Sequence, residues 1–393
     1  RLVGSEMCIR DRSYEISQRP LVIGQSVSLK NRLYFAPMGI DLATSDGSLS
    51  EEMLTFYKHV IDGGCAMVVL GNSSIAPSTR LHARGLCLHS DANLEKLVPL
   101  VEYGRQRDCP VVVQLQHYGA QGGTQISGQP LLCPSRSALS ASSGADLLVE
   151  MSVEDIDAVC DQFAQAALRA RQAGARMVQL QASNGYLLSS FLSPWTNHRR
   201  DAYGASPIKR ARFLLEVIDR IHRVTAGDLE VSVRLGIDDC LGARGQQPEL
   251  LEDVVAALAD AGTSAIMCSI TIKETFRYML TAHPTIQRQF VEGVRLIKSF
   301  TSLPVGYAGF IGSLQEAEDQ LRLGHCDLIG MSRALFADND LISKSLAGHE
   351  DQVQQCRFDG NCFRDKSNPQ LDRVYCCVNE HYKRPAHIHY GNQ

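Results

Sequence analysis

The chain has 393 residues, of which 44% are hydrophobic, and its 39 basic and 43 acidic residues give a net charge of −4. This balance excludes the basic face of a nucleic-acid-binding protein, and no apolar run approaches the roughly 18 residues of a membrane span. No signal-peptide pattern opens the chain, and its thirteen cysteines are scattered singly, typical of reduced thiols. We expect a soluble, cytoplasmic protein with a small-molecule substrate, and homo-oligomerisation is left open.

The chain divides into three parts. Residues 1–13 resemble a recurrent translated sequencing-adapter string, so we predict a non-native segment that takes no part in the fold. Residues 14–350 have a regular pattern, described next, and residues 351–393 form a polar tail with several cysteines. We therefore expect one domain followed by a short C-terminal extension.

From Asn31 onward, short apolar runs alternate with longer segments of helical periodicity. The predicted strands are 33–38, 66–70, 110–115, 176–180, 230–235, 264–269, 304–308 and 327–331. The predicted helices are 50–62, 93–107, 153–173, 207–224, 250–261, 285–300, 313–323 and 339–346. Ser152 with Asp155, and Ser313 with Glu316, have the spacing of helix starts. Such repeated strand–helix units are typical of a parallel sheet.

Eight strands, each followed by a helix, predict an α/β fold of the (β/α)8 TIM-barrel type, with the short cysteine-containing extension at its C-terminus. The active site of such a barrel lies at the carboxyl ends of the strands. The longest insertion, residues 117–151, follows the third strand and is expected on that face. The polar or glycine residues at the strand ends are Met38-Gly39, Gly71-Asn72, Gln114 with His117, Gln181 with Asn184, Arg234, Gly309-Phe310 and Ser332-Arg333.

The fourth strand end is the richest in chemistry. Gln181, Asn184 and Tyr186 leave it in quick succession. Amide donors hold a substrate oxygen as negative charge develops on it, and a phenol with a pKa near 10 keeps its proton at neutral pH. The three residues are therefore candidate catalytic groups. The alternative is that the two amides only cap the strand and the tyrosine packs.

The segment that contains them continues with Asn184-Gly-Tyr-Leu-Leu188, Phe191-Leu-Ser-Pro194, Asn197, Arg199, Asp201 and Tyr203-Gly-Ala-Ser206. This pattern resembles the signature of the Old Yellow Enzyme family of FMN-dependent oxidoreductases, in its bacterial branch of 2,4-dienoyl-CoA reductases and bile-acid enoate reductases. The stretches Asn31-Arg-Leu-Tyr-Phe-Ala-Pro-Met-Gly39, Gln114-Leu-Gln-His-Tyr-Gly119 and Gly330-Met-Ser-Arg-Ala-Leu-Phe-Ala-Asp338 are similar to three further family motifs.

The resemblance implies FMN as cofactor and NAD(P)H as reductant. Arg333 with the backbone N–H groups of Gly309 and Phe310 is expected at the flavin phosphate, and Arg234 and Gln114 at the pyrimidine. The full set of expected cofactor-binding residues is Ala36, Pro37, Met38, Gly39, Asn72, Gln114, Arg234, Gly309, Phe310, Ser332 and Arg333.

The function implied is reduction of the activated C=C bond of an α,β-unsaturated carbonyl compound, in an enzyme that acts on CH–CH donors. Gln181 and Asn184 would hold the carbonyl, and Tyr186 would protonate the α-carbon. Gln181 stands where the family usually has histidine, Gly39 where it often has Thr or Cys, and residues 268–273 lack the histidine of the dienoyl-CoA reductases. Two alternatives stay open: an FMN-dependent amine or alicyclic dehydrogenase, and an FMN-binding subunit with little turnover of its own.

The C-terminal cysteines resemble the segment that binds a [4Fe-4S] cluster in larger relatives. The candidate ligands are Cys356, Cys362 and Cys376, with Cys377 adjacent and Asp359 where a second cysteine would stand. Clusters are held by thiolates, and this pattern is incomplete. A degenerate iron–sulfur site, a zinc site that includes His381, and a tail without metal all remain open, and the incomplete pattern favours the last.

Overall fold

Eight parallel strands close into a barrel in this structure, which is a computed structural model describing residues 14–123, 128–136 and 148–390. The predicted adapter-like segment 1–13 lies outside the described residues. The strands are β1 (Leu21–Ile23), β2 (Val27–Leu29), β3 (Leu33–Phe35), β4 (Met67–Ser74), β5 (Val111–Gln116), β6 (Leu131–Cys133), β7 (Leu148–Glu150), β8 (Met177–Ala182), β9 (Glu230–Asp238), β10 (Thr263–Ile270), β11 (Val305–Tyr307) and β12 (Leu328–Met331). The barrel order is β3-β4-β5-β8-β9-β10-β11-β12, and β12 pairs with β3 to close it. This confirms the predicted TIM-barrel class.

Helices follow the barrel strands and cover the outside of the sheet. They are α1 (Glu51–Asp62), α2 (Asp91–Arg105), α3 (Val153–Gln172), α4 (Leu187–Leu192), α5 (Pro207–Thr225), α6 (Glu252–Asp260), α7 (Arg277–Leu280), α8 (Pro284–Ser299), α9 (Leu314–Arg322), α10 (Arg333–Ala337), α11 (Leu341–Leu346) and α12 (Asn361–Arg364). Both predicted helix starts are confirmed, because Ser152 Oγ accepts from Asp155 N and Ser313 Oγ from Glu316 N. Among the described residues, no helix is both long and apolar enough to cross a bilayer.

The inside of the barrel is apolar toward its amino-terminal end. The antiparallel hairpin β1–β2 lies there, since Gln25 N donates to Glu230 Oε1 at the start of β9, over 2.7 Å. Ile23, Val27 and Leu29 of the hairpin pack with barrel residues in one buried cluster whose other members include Tyr34, Met67, Val112, Met177 and Met267. The polar side chains of the barrel interior therefore lie toward its carboxyl end.

The sequence did not predict the hairpin, the short parallel pair β6–β7 in the long insertion, or the helices α4, α7, α10 and α12. Each of these elements has six residues or fewer. Periodicity needs a longer window to be recognised, so elements of this length leave no pattern in the sequence.

The C-terminal extension packs against the carboxyl end of the barrel. Tyr382 stacks on Phe336 of α10 with ring centroids 5.6 Å apart, and Val374 N donates to Ile40 O beyond β3. Asp365 is buried and accepts hydrogen bonds from Arg384 at 2.8 and 3.0 Å and from Tyr390 at 2.9 Å. Removing one partner of a buried ion pair typically costs about 3–5 kcal/mol, so this carboxylate fixes the fold of the extension.

Candidate active site

A pocket opens at the carboxyl end of the barrel, and we call it the mouth cavity. Eight of the predicted cofactor-binding residues line it: Ala36, Pro37, Met38, Arg234, Gly309, Phe310, Ser332 and Arg333. Three others, Gly39, Asn72 and Gln114, are not part of its lining. Met279, Phe358 and Phe363 also line the mouth cavity, and the sequence did not single them out. The last two belong to the C-terminal extension, which therefore forms one wall.

Arg333 presents a buried positive charge to the mouth cavity. Its guanidinium packs against the rings of Phe310 and Phe358, 4.7 and 4.9 Å from their centroids, and its Nη1 donates to Leu280 O at 2.7 Å. Burial lowers the pKa of Arg333, but a guanidinium remains charged in proteins. Among the described residues, no carboxylate lies within ion-pair distance of Arg333. The cation is therefore available to an anionic ligand group.

Arg234 is a second cation; it is partly buried and lies in the middle of β9, in register with Gln181 of β8. Its guanidinium is near Pro37 O at 3.5 Å and Ser269 Oγ at 3.4 Å. Burial lowers its pKa, while the nearby hydroxyls of Tyr34 and Tyr186 raise it. In the described part of the chain Arg234 also has no carboxylate within ion-pair distance. A buried charge without a counter-ion is costly, so the site favours a ligand that brings negative charge.

Glutamine side chains fill the barrel interior above the apolar layer. The sequence Val-Gln-Leu-Gln occurs in both β5 and β8, and Gln114 is in register with Gln179. Gln114 Nε2 donates to Gln179 Oε1 at 2.7 Å, whereas Gln114 Oε1 and Gln179 Nε2 are buried without a hydrogen-bond partner among the described residues. Buried polar groups are nearly always paired. These two atoms indicate a ligand with both donors and acceptors.

Tyr186 reaches the site through a tight turn after β8. Asn184 and Gly185 both adopt left-handed backbone conformations, with φ of 60° and 75°, which asparagine and glycine tolerate best. The Tyr186 ring packs edge-on against Tyr118 at 5.0 Å. Burial raises the pKa of the Tyr186 hydroxyl, and Arg234 and a hydrogen bond with Gln116 partly oppose that shift. Tyr186 is therefore a protonated phenol at neutral pH.

The predicted amides Gln181 and Asn184 shortly precede Tyr186 in the chain and have different surroundings. Ser183 Oγ lies 2.7 Å from Gln181 Oε1 and 2.9 Å from Asn184 Oδ1, so one hydroxyl orients both amides. Asn184 Nδ2 donates to Ile270 O at 2.9 Å, which ties it to the end of β10. Among the described residues, Gln181 Nε2 donates no hydrogen bond to a backbone carbonyl. Gln181 is thus the better placed of the two to hold a substrate oxygen.

Several site residues were missed from the sequence. Gln116 accepts a hydrogen bond from Asn72 Nδ2 and faces Tyr186, and Ser183 orients the two amides. The repeated Val-Gln-Leu-Gln could have identified Gln116 and Gln179, because residues two apart on a strand face the same side. No local pattern identifies Phe358 or Phe363, whose position depends on the fold of the extension.

The candidate iron–sulfur ligands are close together but do not form a metal site. Burial raises the pKa of Cys356 and raises that of Cys362 to about 12, and the neighbouring Cys376 adds to both shifts. Metals bind the thiolate form. In the part of the chain that the structure describes, no group of three or more His, Cys, Asp or Glu side chains is placed to hold a metal ion. The residues present therefore do not fit a cluster or the zinc alternative.

Comparison with known proteins places this geometry among flavin enzymes. The model of the NADH:flavin oxidoreductase / NADH oxidase family matches residues 18–352. A metal reductase of Desulforamulus reducens is 31% identical over 341 residues, covering 86% of this chain and 49% of that protein. An NADPH dehydrogenase of Bacillus subtilis is 30% identical over 328 residues, covering 81% of this chain and 90% of that protein.

A solved structure gives the same result at the level of the fold. That of a 6-hydroxypseudooxynicotine amine oxidase from Pseudomonas geniculata N1 has a TM-score of 0.79 at 25% identity, and covers 94% of this chain and 55% of that one. The chain thus spans about half the length of the metal reductase and the amine oxidase, and most of the NADPH dehydrogenase.

Proposed function

Because the chain belongs to the NADH:flavin oxidoreductase / NADH oxidase family, we propose that it uses FMN and NAD(P)H to reduce the activated C=C bond of an α,β-unsaturated carbonyl compound. The family match covers the segment that resembled the Old Yellow Enzymes and confirms that resemblance. One observation carries the proposal: Gln181 of β8 and Tyr186, which follows β8, both lie next to the cation of Arg234.

The residues of the site fit FMN. Arg333 and the backbone N–H groups of Gly309 and Phe310 suit its phosphate, since those two N–H groups donate to no acceptor among the described residues. The unpaired atoms of Gln114 and Gln179 match the donors and acceptors of a flavin pyrimidine, and Arg234 matches its negative charge. Ala36, Pro37, Met38 and Ser332 line the mouth cavity, with Gly39 and Asn72 next to it.

When bound, FMN would supply the hydride-transfer chemistry between NAD(P)H and the β-carbon of the alkene. The Gln181 amide donates a hydrogen bond to the substrate carbonyl, and Asn184 holds the adjoining loop in place. The Tyr186 hydroxyl gives its proton to the α-carbon. Arg234 and Gln116 both lower the pKa of Tyr186, so they stabilise the phenolate that remains after this transfer.

An amine dehydrogenase is the second candidate, and the similarity to the amine oxidase supports it. In that reaction the flavin accepts a hydride from the substrate, so turnover needs an electron acceptor and no NAD(P)H. Oxidation of an amine by the protein with a dye as acceptor would favour this candidate. A bound flavin that neither NADH nor NADPH reduces would favour a binding subunit with little turnover.

The proposal predicts a specific set of spectral changes. Protein purified without air is expected to show flavin absorbance near ~450 nm that bleaches on addition of NADPH or NADH and returns on addition of 2-cyclohexen-1-one. The returned absorbance and the saturated ketone are measured together, with a sample lacking the enone as control. A protein that takes up no FMN would contradict the proposed cofactor, and a bleached flavin that the enone does not reoxidise would contradict the proposed substrate class.

The raised pKa of Tyr186 predicts a particular pH dependence. The protonated phenol is the reactive form, so activity is lost only as the pH rises through the pKa, which burial raises above the ordinary value of 10.0. We expect the rate of enone reduction by pre-reduced enzyme to be constant from about pH 6 to 9 and to fall only above about pH 10. Stopped-flow flavin reoxidation measures it. A fall centred near pH 6 to 7 would point to a different proton donor.

A further inference from the structure

Lys366 of the C-terminal extension forms an ion pair with Asp41, which follows the first barrel strand. The two residues are 325 positions apart in the sequence. Lys366 Nζ lies 3.0 Å from Asp41 Oδ2, and the two side chains are 16% and 10% exposed. A methyl group built on Gly39 would lie 2.8 Å from Lys366 Nζ. The ammonium group therefore occupies the space into which a side chain at position 39 would project.

The same ammonium group lies beside the polar network of the site. Gly39 directly follows Ala36, Pro37 and Met38, which line the mouth cavity. A methyl group built on Gly39 would also lie 3.3 Å from Asn72 Oδ1. Asn72 Nδ2 donates to Gln116, and Gln116 is hydrogen-bonded with Tyr186. The cation thus stands at the end of the Asn72–Gln116–Tyr186 network, next to the wall that the proposed flavin would contact.

The position of Lys366 is fixed by its neighbours in the chain. The preceding residue, Asp365, is the buried carboxylate that Arg384 and Tyr390 hold. Phe363, three residues earlier, packs edge-on against Phe276 with centroids 5.6 Å apart and lines the mouth cavity. Since both sides of Lys366 are anchored, its partly buried ammonium group has a fixed position beside the site.

We propose that Lys366 is a redox-tuning residue of the flavin site: its charge, placed over Gly39, favours the reduced form of bound FMN, and Asp41 moderates this effect. The inference rests on the proposed function. Reduced flavin carries negative charge at neutral pH, and a nearby cation in a poorly screened site stabilises it by Coulomb attraction. The C-terminal extension would then take part in the chemistry as well as in the fold.

Two single substitutions with opposite expected signs test this. Lys366→Met removes the cation and leaves Asp41, so reduction of bound FMN is expected to become less favourable by about tenfold, which is about 30 mV for a two-electron couple. Asp41→Asn leaves the cation without its partner and is expected to shift the equilibrium the other way. The measurement is anaerobic equilibration of the FMN-loaded protein with a reference dye of known potential, with FMN affinity determined for each variant.

Two further variants serve as controls. Lys366→Arg keeps the charge and is expected to stay within about threefold of the unaltered protein. Lys298→Met breaks another Lys–Asp pair, Lys298 with Asp327 at 2.6 Å, at the amino-terminal end of β11 and β12, and is expected to leave the flavin equilibrium unchanged.

The outcomes separate this inference from the proposed function. Opposite shifts in Lys366→Met and Asp41→Asn, with both proteins holding FMN, support it. Equal equilibria in these two variants and the unaltered protein would overturn it while leaving the flavin enzyme intact. If Lys366→Met fails to fold, Asp41→Asn alone tests the inference: a shift toward reduced FMN supports it, and no shift or the opposite shift overturns it. Failure of the unaltered protein to bind FMN would overturn the proposed function, and this inference with it.

Discussion

Replacing Tyr186 by Phe is expected to slow enone reduction by pre-reduced enzyme by about 10²- to 10⁴-fold, the usual contribution of a positioned general acid. The hydroxyl is the only group lost, and the phenyl ring keeps its edge-on packing against Tyr118. Reduction of the flavin by NAD(P)H is expected to be unchanged, because that step needs no proton from Tyr186. Stopped-flow measurement of the two half-reactions separates the two effects.

Tyr118 is the matched control for this experiment. Its hydroxyl is buried in the same environment, and burial raises its pKa well above the ordinary value. Tyr118→Phe is expected to change the rate of enone reduction by less than about threefold. If Tyr118→Phe causes the large loss and Tyr186→Phe does not, the proton donor has been assigned to the wrong one of the two rings.

Arg333→Met is expected to weaken FMN binding by about 100-fold. Charge-assisted hydrogen bonds contribute about 1.5–3 kcal/mol each, and about 1.4 kcal/mol corresponds to a factor of ten in affinity. Methionine is flexible enough to keep most of the packing against Phe310 and Phe358. The loss would therefore report the charge of Arg333. Titration of flavin-free protein with FMN, followed by quenching of flavin fluorescence, measures it.

Arg295→Met on α8 is the matched control, because Arg295 is 58% exposed and, among the described residues, pairs only with Glu292 three residues away. It is expected to leave FMN affinity unchanged. Riboflavin, which lacks the phosphate, provides a second check: Arg333→Met is expected to affect its binding by less than threefold. An equal loss for FMN and riboflavin would place Arg333 away from the phosphate.

The fold was predictable because each barrel strand is an apolar run and each long helix has a clear start. All eight predicted strands overlap the barrel strands, and Ser152 and Ser313 cap helices as expected. Local order along the chain also predicted that Gln181, Asn184 and Tyr186 belong to one strand end, since Gln181 is near the end of β8 and the other two follow it. What these residues do in the reaction remains a prediction.

The site was less predictable where it depends on distant parts of the chain. Lys366 and Asp41 are 325 positions apart, and nothing in either local sequence indicates their contact. The sequence did not distinguish Asn184 from Gln181, yet in the structure the Asn184 amide donates a hydrogen bond to Ile270 O at the end of β10. Both features depend on how distant segments pack against each other. Periodicity and motif spacing give no information about such contacts.

The buried glutamine atoms also link the stability of the barrel to what it binds. Gln114 Oε1 and Gln179 Nε2 have no hydrogen-bond partner among the described residues, and each unsatisfied buried group costs about 1–3 kcal/mol. A ligand that pairs with them removes that cost only in the folded state. The melting temperature is therefore a function of free ligand concentration, rising with the logarithm of its ratio to the dissociation constant.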